Sequence, residues 1–186
     1  MAFVTVAEAR TAAAGRGLTT SLAQAEIRKA ASAPMSTDYD IFLSHSSEDA
    51  AVIAGVKTLL EQAGLTVYVY WIEEDQAQQV TKATADNLRS RMQHCRGLIY
   101  ASSQASPRSK WMPWELGYFD GRKPGRVAIF PLAISAGSRF VGQEYLALYP
   151  KIERINWQGG LRSLGISTGP TTAAQLSAFL RDGVRL

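Results

Sequence analysis

The sequence holds one cysteine in 186 residues, Cys95, so no internal disulfide can form. That fits a reducing compartment and makes Cys95 a buried, inert thiol. No apolar run approaches the roughly 18 residues that a membrane span needs. The N-terminal "MAFVTVAEARTAAAGRGLTT" lacks the charged-then-apolar order of a signal peptide. The sequence therefore predicts a soluble, cytoplasmic protein. No run of five Lys or Arg occurs, and the formal charge is only +4 with a pI near 9.3. Nucleic-acid binding gains little from this, whereas a modest positive field suits a small anionic ligand such as a dinucleotide.

Several chemical signatures are missing as well. There is no G-x-x-x-x-G-K-S/T phosphate loop, no G-x-G-x-x-G turn and no G-x-S-x-G nucleophile elbow. C-x-x-C and H-E-x-x-H are absent, and the two histidines, His45 and His94, lie far apart. A metal site lacks ligands, and none is expected.

What is present is a globular composition, 46% hydrophobic and 19% charged, enough for one domain. Residues 1–37 are Ala-, Thr- and Arg-rich and end near Pro34. They read as a helical or flexible arm. "YDIFLS" (39–44) is short and apolar, the pattern of a buried parallel strand. A helix with Val52, Val56, Leu59, Leu60 and Ala63 on one face follows, closed by Gly64. "LTVYVYW" (65–71) is a second strand, and the acidic, polar 72–81 a loop in which Glu73, Glu74 and Asp75 form a solvated run. A second helix spans about 84–94. "GLIYAS" (97–102) is a third strand, the segment from Ser109 or Met112 a third helix, and "RVAIFPL" (126–132) a fourth strand. "KIERINW" reads as a fifth strand, and "TTAAQLSAFLRDG" as a last helix capped by Thr171 or Thr172 and stopped by Gly183.

Strands alternating with helices predict an α/β fold: a flavodoxin-like three-layer sandwich with a five-stranded parallel sheet in the order 2-1-3-4-5. Its ligand crevice lies at the C-terminal ends of strands 1 and 3, here "SHSSED" and "ASSQASPRSKWMPWE". Near it stands Glu115, one carboxylate among the rings of Trp111, Trp114, Tyr118 and Phe119. Desolvation there raises a carboxyl pKa and sharpens its effect on a nearby cation. On pattern alone Glu115 is either a catalytic or binding acid or a paired structural one. His45 is either a ligand contact or a hydrogen-bonded turn residue. Ser44, Ser46 and Ser47 either cap the next helix, the simpler role, or donate to phosphate oxygens. Trp71 either stacks on a base or closes the core edge.

"YDIFLSHSSED" resembles the first box of the Toll/interleukin-1 receptor (TIR) domain family, and "GLIYASSQASPRSKWMPWELG" a later one, with W-x-x-x-E running from Trp111 to Glu115. The resemblance covers about residues 38–157, leaving 158–186 to complete the domain, and points to a bacterial member. It implies an NAD+-cleaving enzyme of the nicotinamide–ribose bond, with Glu115 catalytic. NAD+ is then a substrate, and no further cofactor is expected. Ser44, His45, Ser46, Trp71, Trp111 and Tyr118 form the candidate substrate-binding set, Trp111 and Tyr118 conditioning the acid. Residues 71–80 become the loop that completes the site. The implied products are ADP-ribose or a cyclic variant, a signal for a partner effector in antiphage defence. Self-association through TIR–TIR contacts is implied too. The alternative is a non-catalytic TIR interaction module. A nucleoside deoxyribosyltransferase-like enzyme would need a nucleophile and a base-recognition set that the sequence does not offer.

Overall fold

The computed structural model describes residues 2–46, 50–70, 81–135, 137–140, 142–156, 162–167 and 173–183. The parallel strands expected from the apolar runs are β2 (Tyr39–Ser44), β3 (Val67–Tyr68), β4 (Cys95–Ser102), β5 (Val127–Ala133) and β6 (Lys151–Asn156). They lie in the order β3-β2-β4-β5-β6, with Ile41 opposite Val67 and Leu43 opposite Ile99. This is the predicted flavodoxin-like order. β3 is shorter than the 65–71 expected, because it is the sheet's edge and pairs on one side only; Val69 and Tyr70 continue it as buried chain without a ladder.

Period-two alternation sorts the side chains between two cores. Ile41, Leu43, Val67, Val69, Ile99, Ala101 and Phe130 face α3 (Ala50–Gln62). Phe42, Tyr68, Tyr70, Leu98, Tyr100 and Ile129 face α4 (Lys82–Gln93) and α5 (Trp111–Arg122). The second core is thus rich in rings, and a fully buried one such as Phe42 or Phe119 contributes roughly 1.5–3 kcal/mol by burial. The turn after α3 is closed by Gly64 at φ 84°, as its sequence position suggests. Thr81 caps α4 by accepting from the Thr84 amide at 3.1 Å. Pro113 sits in the first turn of α5, where its missing N–H costs nothing.

The N-terminal segment forms β1 (Val4–Thr5), α1 (Val6–Ala14) and α2 (Thr20–Ala31). Thr5 and Glu8 make a reciprocal capping box at the start of α1. β1 pairs in parallel with the end of β5, Val4 opposite Leu132, and Ala2 bridges Arg154 of β6. α1 lies so close on α3 that a Cβ at Gly55 would stand 1.8 Å from the Ala9 carbonyl oxygen. Ala13, Ala23 and Ala54 fill the junction of α1, α2 and α3. At the segment's end, the Arg91 guanidinium donates to the Ala33 and Pro34 carbonyls.

The C-terminal region departs from expectation. β7 (Arg162–Ser167) runs back antiparallel to β6, and β8 (Ala173–Gln175) pairs antiparallel with β7. The last helix, α6 (Leu176–Asp182), is therefore about half as long as the pattern suggests, because residues 173–175 are drawn into the ladder. Gly183 ends it as expected; Thr171 and Thr172 lie outside the described residues. With β1, the sheet reaches eight strands among the described residues.

Candidate active site

Three elements place three side chains on one spot of the ring-rich face. Ser44 is the last residue of β2 and shares its face with Phe42. Tyr70 follows β3 and shares its face with Tyr68. Glu115 lies on the side of α5 that also carries Met112, Leu116 and Phe119, all buried against the sheet. Helical spacing thus puts the acid on a core-facing stripe. Glu115 is 0% exposed.

The carboxylate does not stand alone. Ser44 Oγ donates to Glu115 Oε2 at 2.5 Å, and the Tyr70 hydroxyl donates to Oε1. Burial raises the Glu115 pKa from 4.5 to about 7, and the two hydroxyls pull it back toward ionisation. Tyr70 moves well above 10, through burial first and the facing carboxylate second. The phenol therefore keeps its proton and acts as a donor. Near neutral pH the acid is divided between its two forms, with one hydroxyl fixing each oxygen.

His45 is buried beside this pair, its ring 5.3 Å from that of Tyr70. Its Nδ1 lies 3.2 Å from the Leu43 carbonyl oxygen. Burial lowers its pKa to about 4, so the imidazole is neutral at pH 7 and its Nδ1–H donates to that carbonyl. His45 thus lines the site without adding a cation beside Glu115. Tyr100, on the same face, has a raised pKa through burial and its bond network with Tyr145, and its hydroxyl donates to Gln143 Oε1 at 3.3 Å. Tyr145 donates to the same oxygen at 2.8 Å.

The other candidates part company. Trp111 is half-buried against the ring-rich core and meets Trp114 edge-on at 5.4 Å. Tyr118 does not join Glu115. It stacks on Trp114 at 5.6 Å, with Arg89 over both rings and Arg122 over Tyr118 at 5.6 Å. This ladder runs along the outer side of α5, so the acid is conditioned by Tyr70 and not by Tyr118. Phe119 is core, as expected. Ser46 takes part in another concavity. It lines a cleft of about 280 Å3 across the ends of β2 and β4, with Ser103, Gln104 and Arg108 on one wall and Arg10 of α1 on another. Described α3 begins at Ala50; the intended capping turn and Trp71, with the loop 71–80, lie outside the described residues.

Tyr70 is the functional candidate that the sequence reading passed over. Its signal was available: in "VYVY" the tyrosines alternate onto one face, and a strand beside "IFLS" sets that face toward Ser44. Among the described residues no group of three or more His, Cys, Asp and Glu gathers as a metal site.

A buried carboxylate held by two hydroxyls at the switch point of a doubly wound sheet can stabilise a developing positive charge. The TIR domain family matches residues 41–161 of the chain. The chain is 53% identical over 119 residues, 62% of its own length and 61% of the relative's, to a Bacillus cereus (strain MSX-D12) protein named "Probable 3' cyclic ADP-D-ribose synthase ThsB'". It is 25% identical over 127 residues to the "Putative cyclic ADP-D-ribose synthase TIR2" of Cytobacillus dafuensis, covering 66% of this chain and 32% of that protein. The chain thus spans less than two thirds of either relative. The family match spans well over half of the chain, Ser44, Tyr70 and Glu115 within it, and the chain belongs to the TIR domain family.

Proposed function

We propose that the chain cleaves NAD+ at the nicotinamide–ribose bond and releases ADP-ribose or a cyclic ADP-ribose-type product. The observation that carries this reading is the buried Glu115 carboxylate gripped by Ser44 and Tyr70. Nicotinamide departs as a neutral molecule with the electrons of the broken C–N bond, so no strong acid is needed. The ribose carbon left behind has oxocarbenium character. A desolvated carboxylate stabilises that charge more strongly than a solvated one. Ser44 and Tyr70 hold it rigid, which removes the cost of reorienting it during the reaction. Water then attacks to give ADP-ribose, or a nucleophile of the same molecule attacks to give a ring; either nucleophile loses one proton. The names of the two relatives favour the cyclic outcome.

As a signal, such a product would act on a downstream effector in bacterial antiphage defence. Site residues beyond the central trio are His45, buried beside the Tyr70 ring, and Trp111, half-buried at the start of α5. The arm of residues 1–37, the core 38–157 and the closing segment 158–186 would then work as one catalytic unit.

A second reading, a TIR–TIR interaction module, is favoured by the Arg89–Trp114–Tyr118–Arg122 ladder, since Trp, Tyr and Arg dominate protein contact sites. Self-association and catalysis are compatible. Purified protein incubated with NAD+ and followed by chromatography for nicotinamide tests the reading. Glu115→Gln is expected to abolish release; turnover undiminished in that variant would remove Glu115 from the chemistry.

A further inference from the structure

A second concavity, of about 870 Å3, opens at the other end of the sheet. Asp40 at the start of β2, Arg96 at the start of β4 and Arg126 just before β5 line it, together with Lys123 after α5 and Arg181 of α6. These are the N-terminal edges of the parallel strands, whereas Ser44 and Glu115 stand at the C-terminal edges. The volume falls within the range of small-molecule sites.

Its charge is one-sided. Four cations face the cleft, and Asp40 is the carboxylate among its lining residues. Asp40 is engaged by the Thr66 amide and hydroxyl, both at 2.9 Å, and by Arg96 at 3.4 Å. Arg181 meets Asp182 at 3.3 Å. Lys123 and Arg126 have backbone partners instead. Lys123 donates to the Gln93 carbonyl at 2.9 Å and to that of Cys95, closing the end of α4. Arg126 donates to the Leu180 and Arg181 carbonyls and so clamps α6 onto the sheet. Carbonyls orient these two cations without cancelling their charge. Burial lowers the Lys123 pKa first; Cys95 and Asp38 act on it in the opposite direction, and Arg126 and Arg122 as like charges. An anion in the cleft would relieve that repulsion.

We propose that this cleft is a binding site for a small phosphate-bearing anion of the pyrophosphate or nucleotide class. Arg96 and Arg181, whose side chains are 72% and 71% exposed, supply paired donors that match phosphate oxygens. Lys123 and Arg126 supply a fixed positive field behind them. Arg96, Lys123 and Arg126 lie inside the matched family segment, and the α6 wall with Arg181 lies beyond it. A ligand there ties α6 to the sheet and stabilises the folded chain by mass action.

The full chain is titrated calorimetrically with orthophosphate, pyrophosphate and AMP at low and raised salt. Saturable one-to-one binding of pyrophosphate is expected, tighter than orthophosphate and weaker at high salt. AMP binding tighter than orthophosphate would identify the nucleotide class; AMP no tighter would identify the inorganic anion. Arg96→Ser with Arg181→Ser is expected to lower affinity on the order of tenfold per arginine, since each charged hydrogen bond is worth about 1.5 kcal/mol or more. Arg96→Lys with Arg181→Lys keeps the charge but not the paired donors and should fall between the parent and the serine variant, whereas Glu115→Gln should retain all of it. Absence of saturable pyrophosphate binding overturns the proposal, and so does binding that survives the paired serine variant. Neither outcome bears on NAD+ cleavage, which is read at the opposite end of the sheet.

Discussion

The Tyr70 hydroxyl donates to one oxygen of Glu115 while Ser44 donates to the other, so the acid's ionisation is set by two neighbours from two strands. Both bonds favour the carboxylate over the neutral acid. Tyr70→Phe removes one and should push the Glu115 pKa upward from about 7. In kcat/KM for NAD+ the acid limb then shifts to higher pH by about one unit, the size of a charged hydrogen bond. Ser44→Ala should shift it the same way. A limb that stays put or moves down would show that these hydroxyls do not tune the acid.

Stability should oppose activity at Glu115. Its folded pKa lies above the unfolded value, so the native state holds the proton more tightly. The contribution of Glu115 to stability is therefore greatest at low pH and falls as pH rises from 4.5 to about 7, by on the order of 3 kcal/mol. Glu115→Gln abolishes that loss. At pH 8 the variant should melt several degrees above the parent, each kcal/mol being worth about 2–4 °C in a chain of this size. Near pH 4.5 the two should melt together. Equal melting at pH 8 would mean that the buried charge carries no cost.

His45 acts with the opposite sign. Its pKa falls from 6.5 to about 4, so the native state resists protonation, and stability is lost as pH drops through that window. The windows of His45 and Glu115 overlap, and their slopes cancel. Thermal melts of His45→Gln against the parent, taken across pH 4–7, should show the difference: below pH 6 the variant gains relative to the parent. A difference independent of pH would remove His45 from the balance.

Gly55 tests the docking of the N-terminal segment. Gly55→Ala places a methyl where the Ala9 carbonyl stands, and backbone cannot yield as a side chain can. The expected cost is about 1–3 kcal/mol or more, with α1 becoming sensitive to brief proteolysis. Wild-type stability together with an uncut α1 would show that the two helices can part without loss.

Tyr118→Ala separates the ladder from the site. Because Tyr118 stacks on Trp114 and not on Glu115, KM for NAD+ should stay within about twofold, under half a kcal/mol. A large rise in KM would return Tyr118 to the substrate.

The strand order and the position of Glu115 were legible because both follow from short-range pattern. Apolar runs such as "YDIFLS" and "GLIYAS" mark strands buried on both faces, and their alternation with helices fixes the order. Glu115 was legible as a carboxylate where rings dominate. Tyr70 was hidden, because a tyrosine in a strand looks like packing until its hydroxyl's partner is known. Tyr118 misled because three residues of helix rotate it toward Trp114, and Arg89 from another helix completes that stack. β7 and β8 escaped because "RSLGIS" and "AAQ" carry weak strand patterns of their own. They are held by pairing with β6 and with each other.

The pairing of Val4 with Leu132, and of Ala2 with Arg154, sets an order of events during synthesis. The first strand leaves the ribosome long before either partner exists. The strand and the short helix behind it must wait, unburied and only marginally helical, until β5 and β6 have emerged, and closing so long a loop is slow. A bulky domain inserted just ahead of Val4 meets the sheet at that late step. It should therefore trap chains whose central strands have already folded.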